Sequence, residues 1–266
     1  MSSKAYGGLT KALRFSLQGS ITTYTLLCLL ITSLALNIVL LYSLSTFTHR
    51  VEVRAPELYN TSSSIYIVGV MGGRKVKGVA LILEGMLVEG NGRVYVSTTP
   101  KIGIELQEAA EKAFKAAQRF TGIDVSNLDL MLRVISNESI YVVDGPSAGA
   151  AVAVLASSML LNIPIRKDVV ITGTIDEYGR IGPVGGVLYK AEAAARIGAK
   201  IFLVPKGQSV VKVFVRVEKE IAPGFYVVYH EPRLVDVESY LRSKGYDVRV
   251  MEVSTLEEAF NYFRAS

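Results

Sequence analysis

The residue best suited to nucleophilic chemistry is Ser147, in the segment Gly145–Gly149 with the sequence Gly-Pro-Ser-Ala-Gly. This segment lies between a strand-like stretch and a long apolar stretch that we predict to be a helix. Glycines permit a tight turn, and the amino end of a helix carries free backbone N–H groups. A serine held there stands beside donors able to stabilise an oxyanion. The alternative interpretation is an ordinary helix N-cap, a position that serine often occupies.

Lys190 has the spacing expected of a buried base. On the helix predicted from Val187 to Ile197, the polar residues Tyr189, Glu192 and Arg196 share one face. The opposite, apolar face consists of Val187, Lys190, Ala191, Ala194 and Ile197. Burial disfavours the ammonium form and lowers the pKa of a lysine, which allows the neutral amine to act as a base. The alternative is a lysine at the edge of this face that extends its amine to solvent.

Length and composition restrict the possible functions. The chain has 266 residues, enough for one sizeable domain plus an appendage or for two small domains. The single cysteine, Cys28, excludes an internal disulfide and a zinc site built on several cysteines. We expect neither a metal nor another cofactor. The only histidines are His49 and His230.

The positive charge is concentrated at the amino terminus. Lys+Arg number 29 against 24 Asp+Glu, which gives a net charge of +5. Three of those cations, Lys4, Lys11 and Arg14, precede the first acidic residue, Glu52. Because the remainder is nearly balanced, we do not expect nucleic acid as a partner.

An apolar segment near the amino terminus has the length of a membrane span. No charged residue occurs between Arg14 and His49, and the stretch Tyr24–Leu44 is dominated by Leu, Ile and Val. About 20 apolar residues cross a hydrocarbon core, whereas the apolar part of a signal peptide has only ~7–15 residues. We predict a cytoplasmic segment at 1–20, a transmembrane anchor at 21–47 and a connector at 48–64. A cleavable signal peptide and a buried core helix are the alternatives.

The charges that flank this segment predict its orientation. Lys4, Lys11 and Arg14 precede the span, and Arg50 and Arg54 follow it. Cytoplasmic flanks carry the excess of Lys and Arg. We therefore expect a single-pass protein of the cell membrane with a cytoplasmic amino terminus and an extracytoplasmic carboxyl-terminal domain.

The remaining residues, 65–266, predict one layered domain of the α+β or α/β class. Apolar alternation and apolar runs predict strands at 65–70, 76–87, 93–97, 129–135, 167–175, 200–204, 211–217, 226–229 and 248–253. Helical spacing predicts helices at 104–120, 147–161, 187–197, 234–243 and 256–263. Gly90-Asn91-Gly92 is typical of a hairpin turn.

Together these segments resemble the proteolytic domain of the Lon family. The resemblance rests on Asp144–Gly149, Thr172–Ile175 and Gly182–Lys190, and it continues through Ile201–Lys206. It implies a fold of the Lon proteolytic type over residues 65–266. It also implies protein or peptide substrates, and ring-forming relatives imply a homo-oligomer, by analogy a hexamer.

The resemblance further implies a role for each matching residue. Ser147 is the expected nucleophile and Lys190 the expected general base of a Ser–Lys dyad. Thr172 matches a Thr-Gly element and is expected to hydrogen-bond the lysine. Asp144 and Glu84 match acidic positions near the dyad, where each is either a supporting group or a solvated carboxylate.

Two departures from the family pattern concern ATP and substrate choice. The sequence contains no Gly-x-x-x-x-Gly-Lys-Ser/Thr loop, so we expect no ATP-driven unfolding. Thr174 stands where many relatives have an acidic residue, and the segment 207–247 is longer than usual.

Three functional hypotheses follow from the sequence. The first is an ATP-independent serine endopeptidase acting on unfolded or membrane-associated proteins. The second is a catalytically silent Lon-like scaffold or partner-binding module at the membrane. The third is a hydrolase that uses His230, which lies in the turn-like sequence Tyr229–Pro232.

Overall fold

The chain forms two compact units, Met1–Val53 and Arg54–Ser266. The computed structural model describes residues 23–42, 61–72, 76–98, 101–136 and 142–264. The predicted amino-terminal segment 1–20 and the part of the predicted connector at 48–60 lie outside these residues.

Helix α1 (Thr23–Tyr42) is the described element of the first unit. Its 20 residues are long and apolar enough to cross a membrane, a property that a signal sequence near an amino terminus shares. All of its side chains are exposed. The ends of the anchor predicted at 21–47 lie outside the described residues.

The second unit contains strands and helices in mixed order. Its strands are β1 (Thr61–Met71), β2 (Lys77–Glu89), β3 (Val94–Thr98), β4 (Lys101–Ile102), β5 (Leu128–Ile135), β6 (Val142–Val143), β7 (Val169–Ile171), β8 (Thr174–Ile175), β9 (Ile181–Gly182), β10 (Ile201–Pro205), β11 (Val210–Ala222), β12 (Phe225–Asp236) and β13 (Arg249–Val253). Its helices are α2 (Ile104–Thr121), α3 (Gly149–Leu160), α4 (Val187–Arg196), α5 (Val237–Ser243) and α6 (Leu256–Phe263).

Two sheets carry most of this unit. The larger one has the order β1-β2-β5-β3, with antiparallel pairs except for β3, which runs parallel to β5. The second has the order β13-β10-β7 and is parallel throughout. The strands β11 and β12 form a separate antiparallel hairpin.

Helices cover both sides of the parallel sheet because its strands alternate between two hydrophobic clusters. Val169 and Ile171 of β7 belong to the larger cluster, which includes residues of α2, α3 and α6. Val170, between them, belongs to the smaller cluster with residues of α4 and α5. Side chains of a strand point alternately to its two faces. We refer to these two faces as the α3 side and the α4 side. This mixed α/β domain agrees with the predicted fold class.

The predicted hairpin between β2 and β3 is wrong. Strand β5 lies between them, and β3 pairs with β5 alone. The reason is Asp129, whose Oδ1 accepts the N–H groups of Asn91 at 2.7 Å and Arg93 at 2.8 Å. These bonds attach the Gly-rich turn to the start of β5, and they lower the pKa of Asp129.

Several boundaries also differ from the prediction. The strand predicted at 167–175 is divided into β7 and β8 by Thr172 and Gly173, and the strand predicted at 211–217 extends to Ala222. Strand β1 begins at Thr61, so 61–64 belong to the sheet and not to the connector. Residues 229–232 lie within β12 and not in a turn, and Leu234 is in the same strand, so α5 begins only at Val237. In the strand, His230 is exposed and pairs with Arg216.

Candidate active site

Ser147 lies in a short 3-10 helix, Pro146–Ala148, that leads directly into α3. The residue before this helix, Gly145, has φ 107°, a region that favours glycine. The N-cap of α3 is Ala148, and no side chain caps either helix. The alternative interpretation of Ser147 as an ordinary N-cap is therefore wrong. Its side chain is half-buried, which leaves it accessible at the amino end of α3.

Gly173 fixes the backbone around Ser147. Its N–H donates to the carbonyl oxygen of Ser147 at 3.0 Å, and its own carbonyl accepts the N–H of Ala150 at 3.1 Å. A Cβ at Gly173 would lie 2.6 Å from Cγ2 of Ile181 and 3.3 Å from Cβ of Ala150. Only glycine fits this gap without a shift, so the close approach explains the glycine of the Thr-Gly element.

Thr172 connects the Ser147 backbone to β7. It is fully buried directly after β7, and its Oγ1 donates to the carbonyl oxygen of Ser147 at 3.4 Å. Two residues earlier, Val170 of β7 packs in the cluster on the α4 side. A threonine hydroxyl that donates one bond still has lone pairs to accept another.

Lys190 is buried in α4, with only 4% of its surface exposed. Burial alone lowers the pKa of its amine from 10.5 to about 8. Among the described residues, no carboxylate forms an ion pair with it. A substantial fraction of the amine is therefore neutral near pH 8, as a general base requires.

The predicted apolar face of α4 is confirmed for four of its five residues. Val187, Lys190, Ala191 and Ala194 are buried, and the three apolar ones pack in the same cluster as Val170. Val170 of β7 thus lies in the same hydrophobic cluster as the apolar residues that flank Lys190 on α4. Ile197 is exposed instead of buried, because α4 ends at Arg196 and Ile197 leaves the helical path as its C-cap.

The backbone of β2 holds α4 in place. A Cβ at Gly78 would lie 1.8 Å from the carbonyl oxygen of Tyr189, so helix and strand touch without an intervening side chain. At the other end of the helix, Arg196 donates from Nη2 to the carbonyl oxygen of Gly78. These contacts fix the helix on both sides of Lys190.

Gln208 is a positioning residue that the sequence did not reveal. Its Oε1 accepts the N–H of Val184 at 2.9 Å, and its Nε2 donates to the carbonyl oxygen of Val184 at 2.8 Å. Val184 lies in the loop that enters α4, so one side-chain amide clamps the approach to Lys190. No sequence signal links the two residues, because a single glutamine after a strand is common on protein surfaces.

Asp144 has a defined structural contact near Ser147. The N-cap of α2 is Gly103, which has no side chain to cap the helix. Asp144 supplies the missing acceptor, since its Oδ1 accepts the N–H of Leu106 at 3.2 Å. A Cβ at Gly103 would lie 1.9 Å from Cγ of Asp144, so the glycine makes room for this carboxylate.

Glu84 lies in β2 and points to the face opposite its neighbour Gly85. The next residue, Gly85, contacts the far part of α3, where a Cβ on it would lie 2.9 Å from atoms of Leu155 and Met159. Glu84 itself pairs across the sheet with Ser64 and Arg133.

Within the described ranges, no group of three or more His, Cys, Asp or Glu side chains has the arrangement of a metal site. The candidate functional groups are thus the half-buried hydroxyl of Ser147, the buried hydroxyl of Thr172 and the buried amine of Lys190.

A half-buried serine at a helix amino terminus and a buried lysine thus occur in one layered α/β domain. The Lon protease (S16) C-terminal proteolytic domain matches this chain over residues 46–228. Because the match covers more than half of the chain, the protein belongs to the Lon protease family.

Curated relatives support the same family. A Lon protease of Dictyoglomus thermophilum is 30% identical over 65% of this chain and 24% of its own length. A Lon protease of Azospirillum brasilense is 38% identical over 53% of this chain and 18% of its own. An archaeal Lon protease of Thermococcus kodakarensis is 33% identical over 48% of this chain and 20% of its own length. The chain thus spans about a fifth of the length of these relatives.

Proposed function

We propose that this protein is a serine endopeptidase that hydrolyses unfolded or membrane-associated proteins without ATP, with Ser147 as nucleophile and Lys190 as general base. The observation that carries the proposal is the burial of Lys190, whose amine has a pKa of about 8. Thr172, which contacts the backbone of Ser147, directly follows β7. Val170 of that strand packs in one cluster with apolar residues of the helix that carries Lys190.

In the first half of the reaction, the neutral amine of Lys190 accepts the hydroxyl proton of Ser147. The serine oxygen bonds to the peptide carbonyl carbon, and the carbonyl π electrons move to its oxygen. Backbone N–H groups beside Ser147 stabilise this oxyanion. When the C–N bond breaks, the ammonium of Lys190 returns its proton to the leaving amine.

In the second half of the reaction, a water molecule attacks the acyl ester, and Lys190 accepts a proton from this water. Collapse of the second oxyanion breaks the bond to the serine oxygen, which takes the proton back from Lys190. Thr172 orients the amine by accepting one of its N–H groups, and Asp144 keeps α2 in place. Glu84 is a further supporting carboxylate in this proposal, by analogy with the acidic position that it matches in the family.

The proposed independence of ATP is based on the sequence, which contains no Gly-x-x-x-x-Gly-Lys-Ser/Thr loop, and the scheme is compatible with it. Every proton is exchanged among Ser147, Lys190, water and the substrate, and no step consumes a nucleotide. A chain that is already unfolded can enter the site without energy-driven unfolding.

The proposal extends to the membrane and to assembly. Residues 21–47, including α1, anchor the chain. Residues 61–266 form the peptidase domain outside the cytoplasm, with the amino terminus inside. The active form is a homo-oligomer, by analogy a hexamer. Protease added outside sealed vesicles that keep the orientation of the cell membrane should digest the peptidase domain. Protection of this domain would show the opposite topology.

The test of the reaction uses the full chain in detergent and an unfolded, fluorescently labelled protein as substrate. We expect hydrolysis by the wild type at equal rates with and without ATP, and loss of at least 100-fold in Ser147→Ala. Ser126→Ala, at an exposed serine elsewhere in the domain, is the matched control and should keep full activity.

The same assay separates the peptidase from the scaffold hypothesis. A folded wild-type chain with no activity under either condition would favour the scaffold. Equal turnover by the wild type and Ser147→Ala would remove this serine from the mechanism.

A further inference from the structure

The hairpin of β11 and β12 exposes most of its surface. Its register runs from Val210 paired with Asp236 to Ala222 paired with Phe225. At about 3.3 Å per residue, strands of this length extend roughly 40 Å. Every residue from Glu218 to Leu234 is exposed.

The end of the hairpin is apolar. The stretch Ile221–Tyr229 reads Ile-Ala-Pro-Gly-Phe-Tyr-Val-Val-Tyr and contains no charged residue. Ile221 is 64% exposed, Phe225 68% and Tyr226 57%. Large apolar side chains displayed together in this way mark an interaction surface.

The apolar surface continues on both faces of the hairpin. Tyr226 and Val228 point to one face of β12, and Val227 and Tyr229 point to the other. All four are exposed. A flat protein surface would cover only one of these faces, whereas lipid surrounds an inserted tip on all sides.

The two strands at the tip bond to each other, but their outer edges have no neighbouring strand among the described residues, which limits insertion to the interfacial layer. The ladder continues to Ala222 and Phe225, and the N–H of Gly224 in the turn donates to Oε1 of Glu220 at 3.0 Å. Internal bonds of this kind are a condition for placing backbone in lipid. The charges of Glu218, Lys219 and Glu220 lie on β11 just behind the turn, which restricts insertion to the shallow interfacial layer.

We propose that the turn of this hairpin, residues 221–226, inserts into the interfacial layer of a lipid bilayer. Aromatic side chains that combine an apolar ring with a polar group, such as Tyr226, are favoured at this depth. Helix α1, a candidate span in the same chain, would keep a bilayer within reach. The proposal is independent of the peptidase chemistry.

The absence of tryptophan from the sequence allows a direct test. The full chain is reconstituted in phosphatidylcholine vesicles with Phe225→Trp as the reporter and Phe214→Trp as its control. Phe214 is 66% exposed, close to the value for Phe225, but it lies nearer the base of the hairpin. Phosphatidylcholine with brominated acyl chains quenches tryptophan that enters the bilayer.

We expect brominated lipid to lower the emission of Phe225→Trp at least twofold and to leave that of Phe214→Trp nearly unchanged. Adding Ile221→Asp to the Phe225→Trp chain should reduce the quenching. Tyr226→Trp provides a second reporter at the tip if Phe225→Trp does not fold.

Two results would overturn the proposal. Folded tip reporters that are not quenched would show that the tip stays in water, and equal quenching at Phe225 and Phe214 would show that the whole hairpin lies on the lipid. Hydrolysis of the unfolded substrate, measured separately in detergent, keeps a failure of the peptidase hypothesis distinct from both results.

Discussion

The backbone N–H of Gly173 donates to the carbonyl oxygen of Ser147 at 3.0 Å. This bond joins the segment after β7 to the short helix that carries the proposed nucleophile. Thr172, one residue earlier, donates to the same oxygen through its hydroxyl. The position of Ser147 therefore depends on Thr172 and Gly173, which lie far from Ser147 in the sequence.

Replacing Gly173 with alanine should displace Ser147. The new Cβ would lie 2.6 Å from Cγ2 of Ile181, so the backbone or Ile181 must move. We expect kcat to fall at least 10-fold and the free energy of unfolding to fall by about 1–3 kcal/mol. Initial rates on the unfolded substrate and urea denaturation measure the two effects.

Gly72→Ala is the control for this substitution, because a Cβ at Gly72 meets nothing within 4 Å. It should leave both quantities nearly unchanged. If Gly173→Ala kept the wild-type kcat, the proposed dependence of Ser147 on this contact would be wrong.

Lys190→Met should stabilise the protein while abolishing activity. The pKa of the buried amine is lowered from 10.5 to about 8, which corresponds to a cost on the order of 3 kcal/mol for keeping it charged in the folded state. Methionine removes this cost, so we expect a gain of about 1–3 kcal/mol in the free energy of unfolding at pH 7.

The stability gained by Lys190→Met should decrease as the pH rises. Between pH 8 and 10.5 the unfolded chain binds more protons at this lysine than the folded chain, so the stability of the wild type rises through this window. The advantage of Lys190→Met should shrink accordingly. Urea denaturation at pH 7 and pH 10 measures it, with the exposed Lys200→Met as control. An advantage that stays constant would contradict the burial of a charged amine.

Gln208→Ala should lower kcat more than it raises KM. The substitution removes both bonds to Val184 and loosens the loop that enters α4. We expect kcat to fall about 10-fold, the scale of a misplaced catalytic group. Gln208→Glu keeps the acceptor for the N–H of Val184 and loses the donor, so it should have an intermediate kcat. Wild-type kinetics in Gln208→Ala would exclude the clamp as a positioning element.

Asp144→Asn should separate helix capping from acid–base chemistry. An asparagine oxygen can still accept the N–H of Leu106, so we expect stability and activity close to the wild type. Asp144→Ala should cost about 1 kcal/mol of stability because α2 loses its cap. Thermal unfolding and initial rates measure both variants. A large loss of activity in a stable Asp144→Asn would assign this carboxylate a chemical role.

The helices and strands of the domain could be predicted where one face of the element is buried along its whole length. Helix α2 was expected at 104–120 and occupies Ile104–Thr121, because its apolar residues recur with the helical period. The same reasoning placed Lys190 on the apolar face of α4 but left open whether its amine reaches solvent, and the structure shows that Lys190 is buried. Helical spacing identifies a buried face without any knowledge of what packs against it.

Contacts between distant segments were not predictable from the sequence. Gly90–Gly92 has the composition of a hairpin turn, but the side chain of Asp129 attaches it to β5 instead. The clamp of Gln208 on Val184 depends on the same kind of tertiary contact. The strand at His230 was missed because Pro232 suggested a turn, and β12 tolerates a proline since it has only one neighbouring strand.

The rate at which a serine-directed fluorophosphonate modifies Ser147, followed as a function of pH, tests the Ser–Lys dyad most directly. Mass spectrometry of the peptide that contains Ser147 locates the adduct. We expect the rate to increase with pH and to reach half of its maximum near pH 8, where the amine of Lys190 loses its proton, and Lys190→Met should lose the reaction. Modification at the wild-type rate in Lys190→Met, or a wild-type rate independent of pH from 6 to about 10, would contradict the dyad.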